Sequence, residues 1–361
     1  MVDEEREGDV PAPLGSWIAP DYEVVAEFDF MQTGVTVSPT GRIFVSFPRW
    51  GDDVSFTVAE VVDGRPVPYP DSTVNRLDEA NPATTFVSVQ SVIVDPAERL
   101  WAVDTGSLAF APHLPRGPKL VEIDLGSDKV ARIIPIEGAA TTPTTYINDV
   151  RFDLSRGEDG YAYVSDCDPT GALIVVDLAT GDCWAKLRGH PTTSAQPDFR
   201  AIVEGRMRDN YVVGVDGIAV SADGSRLYYC PLSSRRLYSV AADLLTDESA
   251  SDEAVAESII DHGDKGASDG LESDAAGAVY STSYEHSAVL RLDPDGTWTT
   301  LMHGPDLLWP DTLALADDGY LYLSANQLPR APLFNANVDD RLPPYKIVRK
   351  AITGAPVRLT R

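Results

Sequence analysis

Lysine is scarce in this chain. There are six in 361 residues: Lys119, Lys129, Lys186, Lys265, Lys346 and Lys350. With the arginines they give 29 basic residues against 56 acidic ones, a formal charge of −27. Such a field repels phosphate backbones and anionic lipid, which excludes nucleic-acid binding and membrane-surface docking as main roles. The imbalance fits either a surface solvated in concentrated salt or a GC-rich genome. Cysteine is equally sparse. Cys167, Cys183 and Cys230 make an odd count without metal-type spacing, so buried free thiols are expected, with one disulfide as the alternative. No apolar run approaches the roughly 20 residues that cross a bilayer. The opening stretch "MVDEEREGDVPAPLG" lacks both a basic n-region and an apolar h-region. Residues 1–19 are therefore expected to be a flexible lead-in, and the protein cytoplasmic. Helical periodicity is rare. No glycine-rich phosphate loop, His-Glu-x-x-His helix or dinucleotide fingerprint occurs.

What is present is repetition. "TGVTVSPTGRIFVSF" from Thr33 is echoed by "QSVIVDPAERLWAVD" from Gln90 and "NDVRFDLSRGEDGYAYVSD" from Asn148. "DGIAVSADGSRLYYC" from Asp216, "DGLESDAAGAVYSTS" from Asp269 and "DTLALADDGYLYLSA" from Asp311 complete the set. Each has a polar head, an alternating strand, a turn usually carrying glycine, and a second apolar strand. Further strands follow most of them, giving four short antiparallel strands per unit. Six four-stranded sheets with no helical layer bury their faces by stacking radially. The expected fold is all-β: a six-bladed β-propeller of four-stranded antiparallel blades, one domain over residues 20–361. Its ring should close with a terminal strand, either "YEVVAEFDF" or "APVRLTR".

In a propeller the first strand of each blade lines the axis. The six heads, Thr33, Gln90, Asn148, Asp216, Asp269 and Asp311, should therefore converge at one mouth of the channel. Three carboxylates crowded on one axis repel unless a cation, a proton or a cationic ligand offsets them. The loop 188–215, "RGHPTTSAQPDFRAIVEGRMRDNYVV" and its flanks, is long enough for a lid or side wall, with His190 and Phe199 as its chemically useful side chains. Tyr146 and Trp309, each beside a head, are candidates to stack on a flat ligand, and Gln90 to bind it. The stretch 326–345 should lie across one face. "GASDG" around Ser268 matches a nucleophile-elbow pattern only formally, because no helix follows it. Asp-rich turns such as "DPDG" read as hairpin turns, not calcium loops.

Several segments carry a specific resemblance: "GRIFVSFPRW", "LWAVDTG", "YINDVRFD", "VDGIAVSADGSRLYYCPLSSRRLYSV" and "LWPDTLALADDGYLYLSANQLP". Together they resemble the yellow / major royal jelly protein family from about residue 20 to the end. That resemblance implies a six-bladed propeller. It also implies a range of activities: dopachrome-converting isomerases, binders of small biogenic amines, and members with none assigned. More distant relatives of the regucalcin and gluconolactonase type hold a divalent cation on the axis and open lactones. Against their pattern, Asn148 (with Asp149) and Asp269 match metal-ligand positions. Thr33 stands where the hydrolases have Glu, and Asp216 where they have Asn. The resemblance thus implies Ca²⁺ or Mg²⁺ on Asn148, Asp216 and Asp269, with Asp216 or Asp311 as general base in hydrolysis of a lactone or ester-like metabolite. A metal-free isomerase and a non-catalytic amine binder are the alternatives. In each case the partner is a small organic molecule.

Overall fold

A computed structural model describes residues 21–208 and 211–361. The lead-in expected over residues 1–19 lies outside them. Six four-stranded antiparallel sheets form the ring. Their innermost strands are Val35–Val37, Val89–Val94, Ile147–Asp153, Val215–Val220, Leu271–Ser273 and Pro310–Leu315. Each contains or directly follows one of the six heads, so the repeat seen in sequence is the blade.

Closure uses the N-terminal candidate. Glu23–Phe28 pairs antiparallel with Tyr345–Ala351 as the outermost strand of blade 6, from Glu23 opposite Arg349 to Phe28 opposite Tyr345. The first and last stretches of the described chain thus share one sheet, which leaves no open seam. "APVRLTR" runs elsewhere. Pro356 bridges to Asp274, and the Leu359 carbonyl accepts from the Leu154 amide across the lower face.

Apolar side chains gather at the seams between blades. Val150, Phe152, Ile174 and Trp101 fill the seam between blades 2 and 3, and Val175, Ile218, Leu227 and Tyr229 fill the next one. The seam between blades 4 and 5 is the thinnest, with Ala219, Cys230, Leu237 and Leu271. Two short helices, Ala242–Thr246 and Asp252–Glu257, sit between the third and fourth strands of blade 4. They are the main departure from an all-β ring. Among the described residues no helix is long and apolar enough to cross a membrane. All three cysteines are free; Cys167 and Cys230 are buried and Cys183 half-buried.

The inner strands approach one another closely, and two glycines record how closely. A Cβ on Gly217 would lie 2.2 Å from the Asp269 carbonyl oxygen, and one on Gly270 2.3 Å from that of Asp311. The Asp-Gly at the head of blades 4 and 5 therefore has two causes. Glycine lets neighbouring backbones touch, and the aspartate before it is delivered to the axis. The Asp-rich turns are hairpin turns as expected: Asp223 Oδ1 accepts from the Ser225 amide at 3.0 Å, and Asp318 Oδ1 from the Tyr320 amide at 3.1 Å.

Candidate functional site

Five of the six heads, Gln90, Asn148, Asp216, Asp269 and Asp311, line one cavity of about 760 Å³ at the upper end of the axis. Thr33 does not. Its hydroxyl donates to the Gln90 carbonyl oxygen at 2.6 Å and so ties blade 1 to blade 2.

The three aspartates form the floor, and each is nearly buried. Each also has a neutral donor rather than a cation. Asn148 Nδ2 donates to Asp216 Oδ2 at 2.9 Å, Trp309 Nε1 to Asp269 Oδ2 at 2.7 Å, and Asn326 Nδ2 to Asp311 Oδ2 at 2.6 Å. Asp216 and Asp269 are close enough to act on each other's ionisation, and a proton held by one of them relieves their repulsion. Burial, then the charges of Asp269 and Asp311, push Asp216 well above the usual carboxylate range. Burial and the charge of Asp269 do the same to Asp311. Asp269 is pushed up by burial to about 6, with the influence of Asp216 and the bond from Trp309 opposing the rise. The pair therefore titrates as a unit, with burial and mutual repulsion favouring its protonated form.

Aromatic rings make the walls. Gln90 Oε1 accepts from Tyr146 Oη at 2.9 Å and from Trp50 Nε1 at 3.1 Å, leaving its amide NH₂ as the donor for a ligand. Phe110 stacks on Tyr146 with centroids 4.9 Å apart, and Trp50 lies 5.2 Å from Phe110. Phe334 closes from above, 6.0 Å from Trp50 and 5.7 Å from Tyr211. Tyr146 thus lines the cavity.

Trp309 has a different position. It is fully buried, stacked on Tyr284 at 4.2 Å, and its indole N–H holds Asp269 from behind the wall. Its backbone is left-handed (φ 56°), a conformation that a bulky residue adopts only where the surroundings enforce it. His190 and Phe199 are not part of the cavity wall. His190 Nδ1 bonds Thr192 Oγ1 at 2.9 Å, and Phe199 packs beneath the Arg235 guanidinium at 4.9 Å. Ser268 is buried with its hydroxyl bonded to the Gly270 carbonyl oxygen and to the hydroxyls of Ser281 and Thr282.

Sequence reasoning did not single out Trp50, Phe110, Tyr211, Phe334 or Asn326 for the site. Trp50 belongs to the Pro-Arg-Trp element, whose logic is now visible. Arg49 donates to the carbonyl oxygens of Phe86, Val87 and Asn75, and so fixes the loop that presents Trp50 to Gln90. Phe110 and Phe334 ride on loops without periodicity, which leaves no local signal to find them.

The residues suggested for a divalent cation fit one poorly. Among the described residues no three His, Cys, Asp or Glu side chains are arranged to hold a metal ion. Asn148 presents an N–H to Asp216, and Thr33, in the position of the hydrolases' Glu, is committed to the Gln90 backbone. The donor set suits a shared proton.

A family model described as "Major royal jelly protein" matches residues 87–357. The chain belongs to that family. Among curated relatives, protein yellow of Drosophila melanogaster is 30% identical over 229 residues, 59% of this chain and 41% of the fly protein. Protein yellow of Drosophila pseudoobscura pseudoobscura is likewise 30% identical, over 57% of this chain and 39% of its own length. The match thus spans about two fifths of those relatives. Solved propellers share the fold at low identity. A luciferin-regenerating enzyme superposes with TM-score 0.59 at 14% identity, covering 95% of this chain and 100% of its own. A calcium-binding regucalcin from Agrobacterium tumefaciens gives 0.53 at 14%, with the same coverage.

Proposed function

We propose that this royal jelly family member is a small-molecule enzyme that moves a proton on a flat, amine-bearing metabolite, an isomerase of the dopachrome-converting type. The observation that carries this reading is the cluster of three buried aspartates, Asp216, Asp269 and Asp311, on the floor of an aromatic-walled cavity. Asp269, held by Trp309, titrates near neutrality and serves as the base. Asp216 and Asp311, protonated through burial, return a proton at a second atom of the ligand. The proton count is unchanged over the cycle, as isomerisation requires. Phe110 and Tyr146 orient the ring, and Gln90 supplies a hydrogen bond to an oxygen on it.

Cation-assisted hydrolysis, the leading expectation from sequence, draws support from the calcium-binding fold relative but little from this donor set. Calcium titrated into the protein at pH 8 separates the two. A saturable rise in Tm that is lost in Asp269→Ala would restore the hydrolase reading; no rise is expected. Simple carriage of an amine is a second reading, supported by the same aromatic box. Turnover of dopachrome-like compounds followed by absorbance decides it. The rate should climb as pH passes about 6, and Asp269→Asn should bind without turning over. Tight binding by the wild-type protein with no turnover between pH 5 and 9 (roughly the range an Asp base of this kind could use) would make the protein a carrier.

A further inference from the structure

A single large apolar side chain in water is ordinary, but several gathered in one place mark a surface that something covers. Among the described residues twelve such side chains are exposed, and seven of them lie on the three loops that wall the axial cavity. Ile202, Met207 and Val212 belong to the 188–215 loop, and Leu333, Val338 and Leu342 to the 326–345 stretch. Phe110 belongs to the loop after the second strand of blade 2.

Three of the seven line the cavity itself while facing solvent: Phe110 at 44% exposure, Val212 at 57% and Leu333 at 50%. They come from three separate loops and meet around one ring. The Phe334 centroid lies 6.1 Å from that of Phe110 and 5.7 Å from that of Tyr211, the residue before Val212. Being so exposed, the three add little to the stability of the fold, so packing does not account for them. One polar group of the same mouth, Asp168, is already satisfied locally: its Oδ1 accepts from the Thr170 amide at 2.9 Å and from the Thr170 hydroxyl at 2.6 Å. Cavities of roughly 300–1,000 Å³ enclose drug-sized molecules, and this one measures about 760 Å³. A single ring with an ethylamine arm would leave its outer part, and the apolar rim, to water.

We propose that Phe110, Val212 and Leu333 form a subsite for a hydrocarbon group on the ligand, so that the ligand is an amphipathic aromatic amine with its apolar substituent at the end away from the nitrogen. The inference rests on reading the axial cavity as the site of an aromatic amine, and it extends that reading outward. The rim is continuous with the rings that hold the aromatic body, so a ligand long enough to fill the cavity reaches it without a second site. A charged group at that end would find no partner among these three side chains. The acids meet the amine, Tyr146 and Phe110 flank the ring, and the rim takes the hydrocarbon.

Calorimetry with tyramine and its O-methyl, O-propyl and O-pentyl ethers tests the subsite. Affinity should rise about two- to fourfold per added methylene, at one site per chain. In the double variant Val212→Ser/Leu333→Ser that factor should fall toward one. It is read within the variant's own series, so a change in overall affinity does not enter. A flat series in the wild-type protein overturns the subsite and leaves the amine site standing. A rising series whose slope the double variant keeps places the hydrocarbon elsewhere and also overturns it. If the O-pentyl ether binds no better than its analogue with a hydroxyl in place of the amine, the subsite stands and the amine reading falls. Binding of none of the probes by folded protein overturns both. A ligand-free dimer in sedimentation velocity that Leu333→Ser dissociates would make a second copy the occupant and overturn the subsite.

Discussion

Replacing Asp269 by Asn should stabilise the protein at alkaline pH and leave it unchanged in acid. In the folded state Asp269 is pushed up by burial to about 6, from an ordinary value of 3.8. A raised carboxylate contributes stability that is complete below the unfolded value and is lost as pH rises through the folded one. The loss is about 1.4 kcal/mol per unit, so keeping Asp269 ionised at pH 8 costs the fold about 3 kcal/mol. The substituted amide carries no such cost and can still accept the Trp309 indole N–H. With unfolding entropy near 2 cal/mol/K per residue, about 3 kcal/mol corresponds to roughly 4 °C in a chain of this length. Differential scanning calorimetry of both proteins from pH 4 to pH 8 (about the interval bounded by the two protonation states) provides the assay. The difference in Tm should grow from near zero to about 4 °C in favour of the variant. A difference that is flat with pH, or a variant less stable at pH 8, would refute the claim that this carboxylate is held against its charge. Turnover should disappear in the same variant, because the group that destabilises the fold is the proposed base.

Two further outcomes concern the frame around the acids. Lys119 and Asp104 form a fully buried ion pair at 2.5 Å in blade 2, and Asp104 also accepts the Val87 and Ser88 amides. Lys119→Met should lower stability by about 3–5 kcal/mol in denaturant titration, since it strands a buried charge. Gly217→Ala should cost at least about 1–3 kcal/mol and disturb the pH–rate profile as well, because its Cβ would press on the Asp269 carbonyl oxygen at 2.2 Å. A variant with full stability and an unshifted profile would show that the inner strands separate freely.

The blades were legible because each is a short-range pattern: alternating apolar residues, then an Asp or Gly turn, then a second strand. The heads were legible for the same reason, since a strand that starts at the axis carries its first side chain there. Closure was not. Both chain ends offer an alternating stretch, and only the long-range register of Glu23–Phe28 against Tyr345–Ala351 selects between them. The walls of the cavity escaped because loops have length but no period. The 188–215 loop suggested His190 and Phe199, yet the chain turns both away and presents Tyr211, Val212 and Val213 instead. Trp309 was noticed for its neighbour and given the wrong partner: it serves Asp269 rather than the ligand.

The ring itself explains why the floor holds protons. Inner strands close enough to require Gly217 and Gly270 bring the carboxylates of successive blades together under the aromatic loops. Asn148, Trp309 and Asn326 satisfy lone pairs without cancelling charge. A proton is then the countercharge of the empty cavity, and an arriving ammonium group takes over that role. Binding of an amine should therefore drive protons off the floor, since a nearby cation favours the ionised form. At pH 6, where Asp269 is about half protonated, tyramine should release up to about half a proton per site. Calorimetry in buffers of different ionisation enthalpy reads this directly: binding should become more exothermic as the buffer's ionisation enthalpy increases, and the slope should vanish in Asp269→Asn. Proton uptake, or a slope of zero in the wild-type protein, would mean that the amine and the acids never meet.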